Sequence, residues 1–257
     1  MSEELKALVL GAVQGLTEFF PISSSAHLLA LQKALSFSVK GLAFDVSLHL
    51  ATLLAVLVYF RHEILHVFRG ASRWQILLRI GIATVPSVVV LLLFGKYREE
   101  LPSGFAVGGW LFSGIYLLWT EGKGGAKSYA EAPVSSALAI GMAQSLSILP
   151  GVSRSGSTIA AGLWLNLSRE DAAKFSFLLA IPAIAGAGVV EGWHLYNSGE
   201  SQDKLWTLAG IGMPVSFLVG MVTIHLLLRV VKSNFFHRFG WYNLCAALVF
   251  TVYLVMH

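Results

Sequence analysis

Apolar residues run along this chain in long, nearly unbroken blocks. Six of them, near 44–60, 76–94, 105–119, 175–193, 205–228 and 239–256, carry few or no charges. A bilayer-crossing helix takes about 20 such residues, or somewhat fewer with amphipathic flanks. Each block therefore predicts a transmembrane helix, the third being the shortest, bounded by Pro102 and Thr120. Two further stretches, 5–35 and 135–168, are apolar at each end but broken in the middle by FFPISSSAH and LPGVSRSGST. Polar backbone at membrane depth is tolerated only where protein or a watery cavity surrounds it. Each of these predicts a re-entrant hairpin of helix, loop and helix.

The broken stretches resemble each other. GAVQGLTEFFPISSS from Gly11 and GMAQSLSILPGVSRS from Gly141 share Gly, Gln, Leu, a Pro within one position of register and two Ser, at an offset of 130. Phe44 and Phe175, Pro86 and Pro214, and Trp110 and Trp241 continue the correspondence at offsets between 128 and 131. This pattern predicts an internal duplication, about 1–125 and 130–257. Each half then has one hairpin and three spans. Three is odd, so the second half starts from the opposite face, giving an inverted-topology repeat with its site near the midplane. The expected fold is an all-α integral membrane protein, a single membrane domain over 1–257 with six transmembrane helices plus two re-entrant hairpins. The Gly122–Gly125 run GKGG reads as a flexible linker between the halves. It is no P-loop, since no strand precedes it and no Ser or Thr follows the Lys.

On that topology the basic residues favour the side holding 61–73, 120–135, 169–174 and 229–238, and the positive-inside rule places both termini outside the cytoplasm. Trp74, Trp110, Trp119, Trp193, Trp206 and Trp241 fall near span ends, as an interfacial belt requires. Composition agrees: of 257 residues 56% are hydrophobic and 12% charged, with a mean hydropathy of +0.71, where soluble domains average roughly 25% charged. The net charge of +4 is scattered over short loops, which argues against a nucleic-acid partner. Cys245 is the single cysteine, so no disulfide framework or thiolate metal site arises. MSEEL at the start lacks the pattern of a removable signal peptide.

The hairpin breaks carry the candidate chemistry. In each, a proline ends the first half-helix and hydroxyl residues begin the second, helix-stop followed by N-cap chemistry. A helix N-terminus presents free N–H groups and partial positive charge, both suited to phosphate. Two hairpins entering from opposite faces aim two such ends at one place. Arg154 adds a planar fork of donors matched to phosphate oxygens, and an arginine deep in a membrane is by default a functional residue. Gln14 and Glu18, four apart, share a helical face, and His27 lies four after Ser23 and three after Ser24. A carboxylate, an imidazole and a hydroxyl around an arginine suit phosphate ester or anhydride hydrolysis: His27 as nucleophile or base, Ser24 as nucleophile or oxygen ligand, Glu18 as metal ligand or base. Against this, spacing alone is a weak signal, and without the second hairpin His27 reads more readily as a hydrogen-bonded packing histidine. Asp45 and His49 also share a face, and the simpler reading there is an intramembrane pair.

These residues bring a family into view. QGLTEFFPISSSAHL (Gln14 to Leu28) and LPGVSRSGST (Leu149 to Thr158) resemble the two signature motifs of the bacterial undecaprenyl-diphosphatase family, linked to bacitracin resistance. Those motifs read Glu/Gln-x-x-x-Glu, followed by a histidine, and Pro-Gly-x-Ser-Arg-Ser-x-x-Thr. Every fixed position is present, and FSFLLAIPA at Phe175 to Ala183 extends the similarity across the chain. The resemblance implies a bacterial cytoplasmic-membrane enzyme, its site open to the outer face, that removes the terminal phosphate of undecaprenyl diphosphate and so recycles the lipid carrier of cell-wall synthesis. It implies a divalent cation, Mg²⁺ or Ca²⁺. The partners it implies are the lipid-linked diphosphate and membrane lipids, with a homodimer left open.

Carried over by position, Glu18, Ser24, His27 and Arg154 are catalytic. Gln14, Ser23, Gly151, Ser153, Ser155 and Thr158 contact substrate, and Gln14 with Glu18 faces the metal. Many members have glutamate at Gln14, which puts a two-carboxylate metal seat in question here. Whether serine or histidine attacks phosphorus is open at this point. The main rival is a carrier of a phosphorylated lipid on the same architecture. Such a carrier needs Arg154 and the helix ends but not Glu18 with His27. Phosphatidic-acid-type lipid phosphatases need a KxxxxxxRP run, which is absent. A channel needs a continuous polar path, and none is apparent in the spans.

Overall fold

The computed structural model describes residues 1–37, 42–97, 101–198 and 203–256. Lys40 and Arg98, two of the basic residues on the side predicted to face out, lie outside the described residues. Described secondary structure is helical apart from one isolated parallel bridge, Lys127 to Leu167. The helices are α1 (Glu3–Thr17), α2 (Ser24–Ala34), α3 (Leu42–Tyr59), α4 (Arg61–Arg69), α5 (Arg73–Phe94), α6 (Gly104–Leu118), α7 (Val134–Ser145), α8 (Arg154–Trp164), α9 (Arg169–Ser198), α10 (Asp203–Lys232) and α11 (Phe239–Met256). Every predicted span has a helix over it, and each predicted hairpin is a helix pair, α1 with α2 and α7 with α8.

Among the described residues, four helices are long and apolar enough to cross a membrane: Arg73–Phe94, Arg169–Val190, Asp203–Lys232 and Phe236–Met256. A fifth results if α3 and α4, bent by 66° at their break, count as one. The α6 helix is apolar but only 15 residues long, about 22 Å at 1.5 Å per residue. The surface explains the apolar blocks. Leu92, Val189 and Val255 are 75%, 73% and 82% exposed, and side chains of this kind massed on an outer surface belong against lipid.

Small residues set the crossings. The α1 helix packs on α10 and α7 on α5; α3 packs on α10 and α9 on α5; α6 packs on α11. A Cβ at Gly11 would lie 2.4 Å from the Gly212 oxygen, and one at Gly141 would lie 2.2 Å from the Ala83 oxygen. Backbones that touch so closely leave no room for a side chain, the usual way membrane helices gain contact.

Two expectations are corrected. The segment after α6 is no free linker: Gly125 donates to the Leu167 carbonyl at 2.9 Å and Ser168 to the Lys127 carbonyl at 2.9 Å. Farther along, Arg79 donates to the Ala132 carbonyl at 2.6 Å and the Tyr129 hydroxyl to Glu63 at 2.6 Å. Burial and the neighbouring Glu63 hold the Tyr129 phenol above its ordinary range. Trp110, placed in an interfacial belt from sequence, is 2% exposed and donates its indole N–H to the Ile22 carbonyl at 2.8 Å. A buried indole needs such a partner. The bond ties α6 to the first hairpin break.

Candidate active site

The α1 helix ends where Pro21 approaches, because proline lacks an N–H and the residue before it is forced out of the helical region. That places Glu18 at the helix end, its N–H still bonded to the Gln14 carbonyl at 2.9 Å. The chain reverses through Ser23, which has φ +66°, and re-enters helix at Ser24. In the second hairpin the turn runs through Gly151 at φ +91° and re-enters helix at Arg154. Gly151 is required there, because a Cβ would lie 2.2 Å from the Ala106 oxygen.

The two re-entry points meet at a cavity of about 170 Å³ lined by Thr17, Glu18, Ser23, Ser24, Ser25, Val46, His49, Ser147, Val152, Ser153, Arg154, Ala183, Ile184 and Ala187. Glu18 is its centre. The Glu18 side chain is 5% exposed, and its Oε1 accepts from Arg154 Nη2 at 2.7 Å, an ion pair joining residues 136 apart in sequence. Oε2 accepts from Ser24 Oγ at 2.7 Å and from Gln14 Nε2 at 3.1 Å, and it faces His49 Nε2 at 3.3 Å. The α2 and α8 N-termini both open on the cavity. Ser153 caps its own helix, its Oγ accepting from the Gly156 N–H at 3.0 Å. Ser23 makes no such side-chain cap, so the first-turn N–H groups of α2 remain available to an anion.

The structure thus brings Glu18, Ser24, Arg154, Ser23 and Ser153 to one cavity, with Gln14 directly behind Glu18. It does not bring His27 there. The His27 Nδ1 lies 2.7 Å from the Ser23 carbonyl oxygen and Nε2 lies 2.9 Å from the Tyr242 hydroxyl. The ring stands edge-on to Trp110 at 5.1 Å. The four-residue spacing does put His27 against Ser23, but through a backbone carbonyl, and the imidazole turns toward α6 and α11. In this geometry His27 braces the turn at Ser23, with both ring nitrogens engaged and no part in the cavity lining.

Ser155, Thr158 and Gly151 also stand outside the cavity wall. Ser155 Oγ donates to the Phe20 carbonyl at 3.3 Å, tying the hairpins together. Thr158 Oγ1 lies 2.6 Å from Ser176 Oγ, tying α8 to α9. Gly151 accepts from Ser113 Oγ at 3.1 Å.

Sequence reasoning underweighted His49. Its pairing with Asp45 is real but runs through backbone, Nδ1 standing 2.7 Å from the Asp45 carbonyl oxygen. A carbonyl only accepts, so Nδ1 carries hydrogen and Nε2 is left for Glu18 and the cavity. The signal was the intramembrane histidine itself. Ser25, Ser147 and Thr17 were also not singled out, and spacing gives no reason to choose them.

Comparison with known proteins places the chain in a family. A family model described as bacitracin resistance protein BacA matches residues 7–249. A protein of Geobacter metallireducens named undecaprenyl-diphosphatase is 39% identical over 264 residues, covering 94% of this chain and 95% of the relative. One of the same name from Alcanivorax borkumensis is 40% identical over 240 residues, covering 88% and 90%. Another from Methanococcus maripaludis is 36% identical over 258 residues, covering 97% and 100%. With the match running through both hairpins and nearly end to end, the chain belongs to the bacitracin resistance protein BacA family.

Proposed function

We propose that this chain hydrolyses undecaprenyl diphosphate to undecaprenyl phosphate and inorganic phosphate, recycling the lipid carrier of cell-wall synthesis. The observation that carries this is the Ser24 hydroxyl 2.7 Å from a carboxylate whose other oxygen is held by Arg154 at 2.7 Å, where two helix N-termini converge. A hydroxyl within hydrogen-bond reach of an oriented base is the arrangement of an activated nucleophile. A carrier needs the cationic cradle but has no use for that pair.

The terminal phosphoryl group lies between Arg154 and the α2 N-terminus, which meet the charge on its oxygens. Ser24 Oγ forms a bond to the terminal phosphorus as its proton passes to Glu18 Oε2. The anhydride bond breaks, and its electron pair leaves with the lipid monophosphate. Water then attacks the phosphoserine, releasing inorganic phosphate and restoring the serine hydroxyl. The nucleophile left open by sequence is assigned to Ser24, because His27 faces away.

A cavity of about 170 Å³ is below the roughly 300–1,000 Å³ of sites that enclose a whole drug-sized ligand. It takes a headgroup. Val152 belongs both to its wall and to an apolar groove of about 590 Å³ with Phe105, Phe112, Leu146 and Leu149, a path for isoprenoid carbons into lipid.

The fold is read here as six spans with two re-entrant hairpins in an inverted repeat of 1–125 and 130–257. Its support is the reciprocity of packing, α1 on α10 answered by α7 on α5, and α3 on α10 answered by α9 on α5. Val46 and His49 lie in the first half of α3, and Ala183 and Ala187 near the middle of α9. The cavity therefore sits toward the side opposite the basic segments 61–73, 120–135 and 229–238. With those inside, the site faces outward from a bacterial cytoplasmic membrane and both termini lie outside.

The implied cation, Mg²⁺ or Ca²⁺, does not fit Gln14 and Glu18 as a seat of their own. Gln14 offers no charge, and Glu18 already has Arg154 on one oxygen and Ser24 on the other. The test is phosphate release from undecaprenyl diphosphate by the detergent-purified chain, beside Ser24→Ala and Arg154→Ala. Release lost in both is expected. A folded wild type that binds the lipid without releasing phosphate would favour the carrier instead.

A further inference from the structure

The charges around Glu18 point to how a divalent cation reaches this site. Glu18 is the only carboxylate among the described residues lining the cavity. No group of three or more His, Cys, Asp or Glu able to hold a metal occurs among the described residues. The one negative charge is matched by the Arg154 guanidinium at 2.7 Å. The rest of the wall is hydroxyls, the His49 imidazole, the apolar side chains of Val46, Val152, Ala183, Ile184 and Ala187, and two helix N-termini, whose partial positive charge repels a cation.

Where a glutamate would supply a second carboxylate, Gln14 turns its amide nitrogen to Glu18 at 3.1 Å, and its Oε1 is buried without a hydrogen-bond partner. Mg²⁺ demands octahedral oxygen coordination, keeps several waters, and is held by one or two carboxylates plus substrate phosphates. The cavity offers the phosphate cradle but not the carboxylates.

We propose that the free protein has no divalent-cation site and that the cation enters on the diphosphate of the substrate, its ligands being phosphate and water oxygens; Gln14 sets this order. The inference rests on the diphosphatase reading. Binding is then obligatorily joint: metal without diphosphate meets Arg154, whereas the metal-diphosphate complex presents outward oxygens to Arg154 and the α2 N-terminus.

The test uses Mn²⁺ as a spin-visible probe, the full-length detergent-purified chain, and a non-hydrolysable prenyl methylene-diphosphonate. Protein-free micelles carrying the diphosphonate set the baseline. Wild type alone is expected to leave the free Mn²⁺ signal unchanged up to about 1 mM, the weak end of oxygen-ligand sites. With the diphosphonate it is expected to retain Mn²⁺ stoichiometrically above baseline. The Gln14→Glu variant, with its carboxylate pair, is expected to retain Mn²⁺ with no diphosphonate present; elution profile and melting temperature establish that it is folded.

A saturable Mn²⁺ site in wild type alone, lost in Glu18→Gln, overturns the proposal. So does diphosphonate retained without any accompanying Mn²⁺, and so does a folded Gln14→Glu that gains no site. Diphosphonate binding is followed separately by its phosphorus signal. If wild type retains no diphosphonate under any condition, the diphosphatase reading itself falls, an outcome distinct from a wrong order of binding.

Discussion

Glu18→Gln separates binding from chemistry in this site. The substitution keeps size and shape while removing the charge that Arg154 pairs with at 2.7 Å and the base that Ser24 donates to at 2.7 Å. Three of the four contacts can be re-formed: an amide oxygen accepts from Arg154, an amide nitrogen donates to Ser24 Oγ, and Gln14 relieves a donor clash by turning its unpartnered Oε1 inward. Breaking a buried ion pair costs about 3–5 kcal/mol. With the Arg154 side chain 13% exposed, the cost in stability is expected at the lower end, about 3 kcal/mol. Loss of the base is expected to lower kcat by about 10²–10⁴-fold, or roughly 3–5 kcal/mol in the barrier. Affinity for a diphosphonate is expected to hold or rise, because the variant cavity keeps Arg154 and loses the Glu18 carboxylate, the only one among the described residues of its lining. Single-turnover phosphate release and equilibrium binding of the diphosphonate read the two quantities separately. A variant with raised KM and unchanged kcat, or one whose binding falls in step with turnover, refutes the assignment of Glu18 as base.

Three further outcomes follow from the same geometry. Ser24→Ala is expected to lower kcat at least ~100-fold with diphosphonate binding kept, while Ser25→Ala, whose hydroxyl lies 3.3 Å from Ser23 Oγ and not on Glu18, stays near wild type; equal losses in phosphate-release assays would remove Ser24 from its role. His49→Leu is expected to lower kcat about 10-fold, with His49→Gln recovering part of it by keeping a polar group facing Glu18 Oε2; kinetics of the pair decide, and indifference to both would reduce His49 to packing. Gly151→Ala adds about 1–2 kcal/mol of left-handed strain to a contact at 2.2 Å with the Ala106 oxygen and is expected to lower the melting temperature in detergent. Gly210→Ala, with nothing within 4 Å, is expected to hold or raise it, since alanine favours a helix over glycine by about 1 kcal/mol.

Much of this arrangement is legible in sequence because the bilayer tolerates so little. Apolar blocks must be helices, and a polar break inside one must face protein or water, so the helices over the six apolar blocks and the two hairpin turns follow from hydropathy and two prolines, whereas α4, within the basic segment 61–73, does not. The joining of Glu18 to Arg154 was also legible, since the similarity of the two broken stretches suggests that both turns sit at equivalent places. What sequence does not hold is the azimuth of each helix about its own axis. His27 and His49 make the same local bond, Nδ1 at 2.7 Å from the carbonyl four residues earlier, yet one imidazole ends on Tyr242 and the other faces Glu18. Spacing along a helix says which residues are neighbours; which way that face looks is decided by what the helix packs on. The same argument sorts the hydroxyls of α8. Ser153 and Arg154 line the cavity, Ser155 is drawn to the Phe20 carbonyl, and Thr158, one turn after Arg154 and near its face, meets Ser176 of α9 instead. A run of five motif residues therefore yields two in the site and three that hold the second hairpin against its neighbours, and only the packing of α8 on α7 and α9 tells them apart.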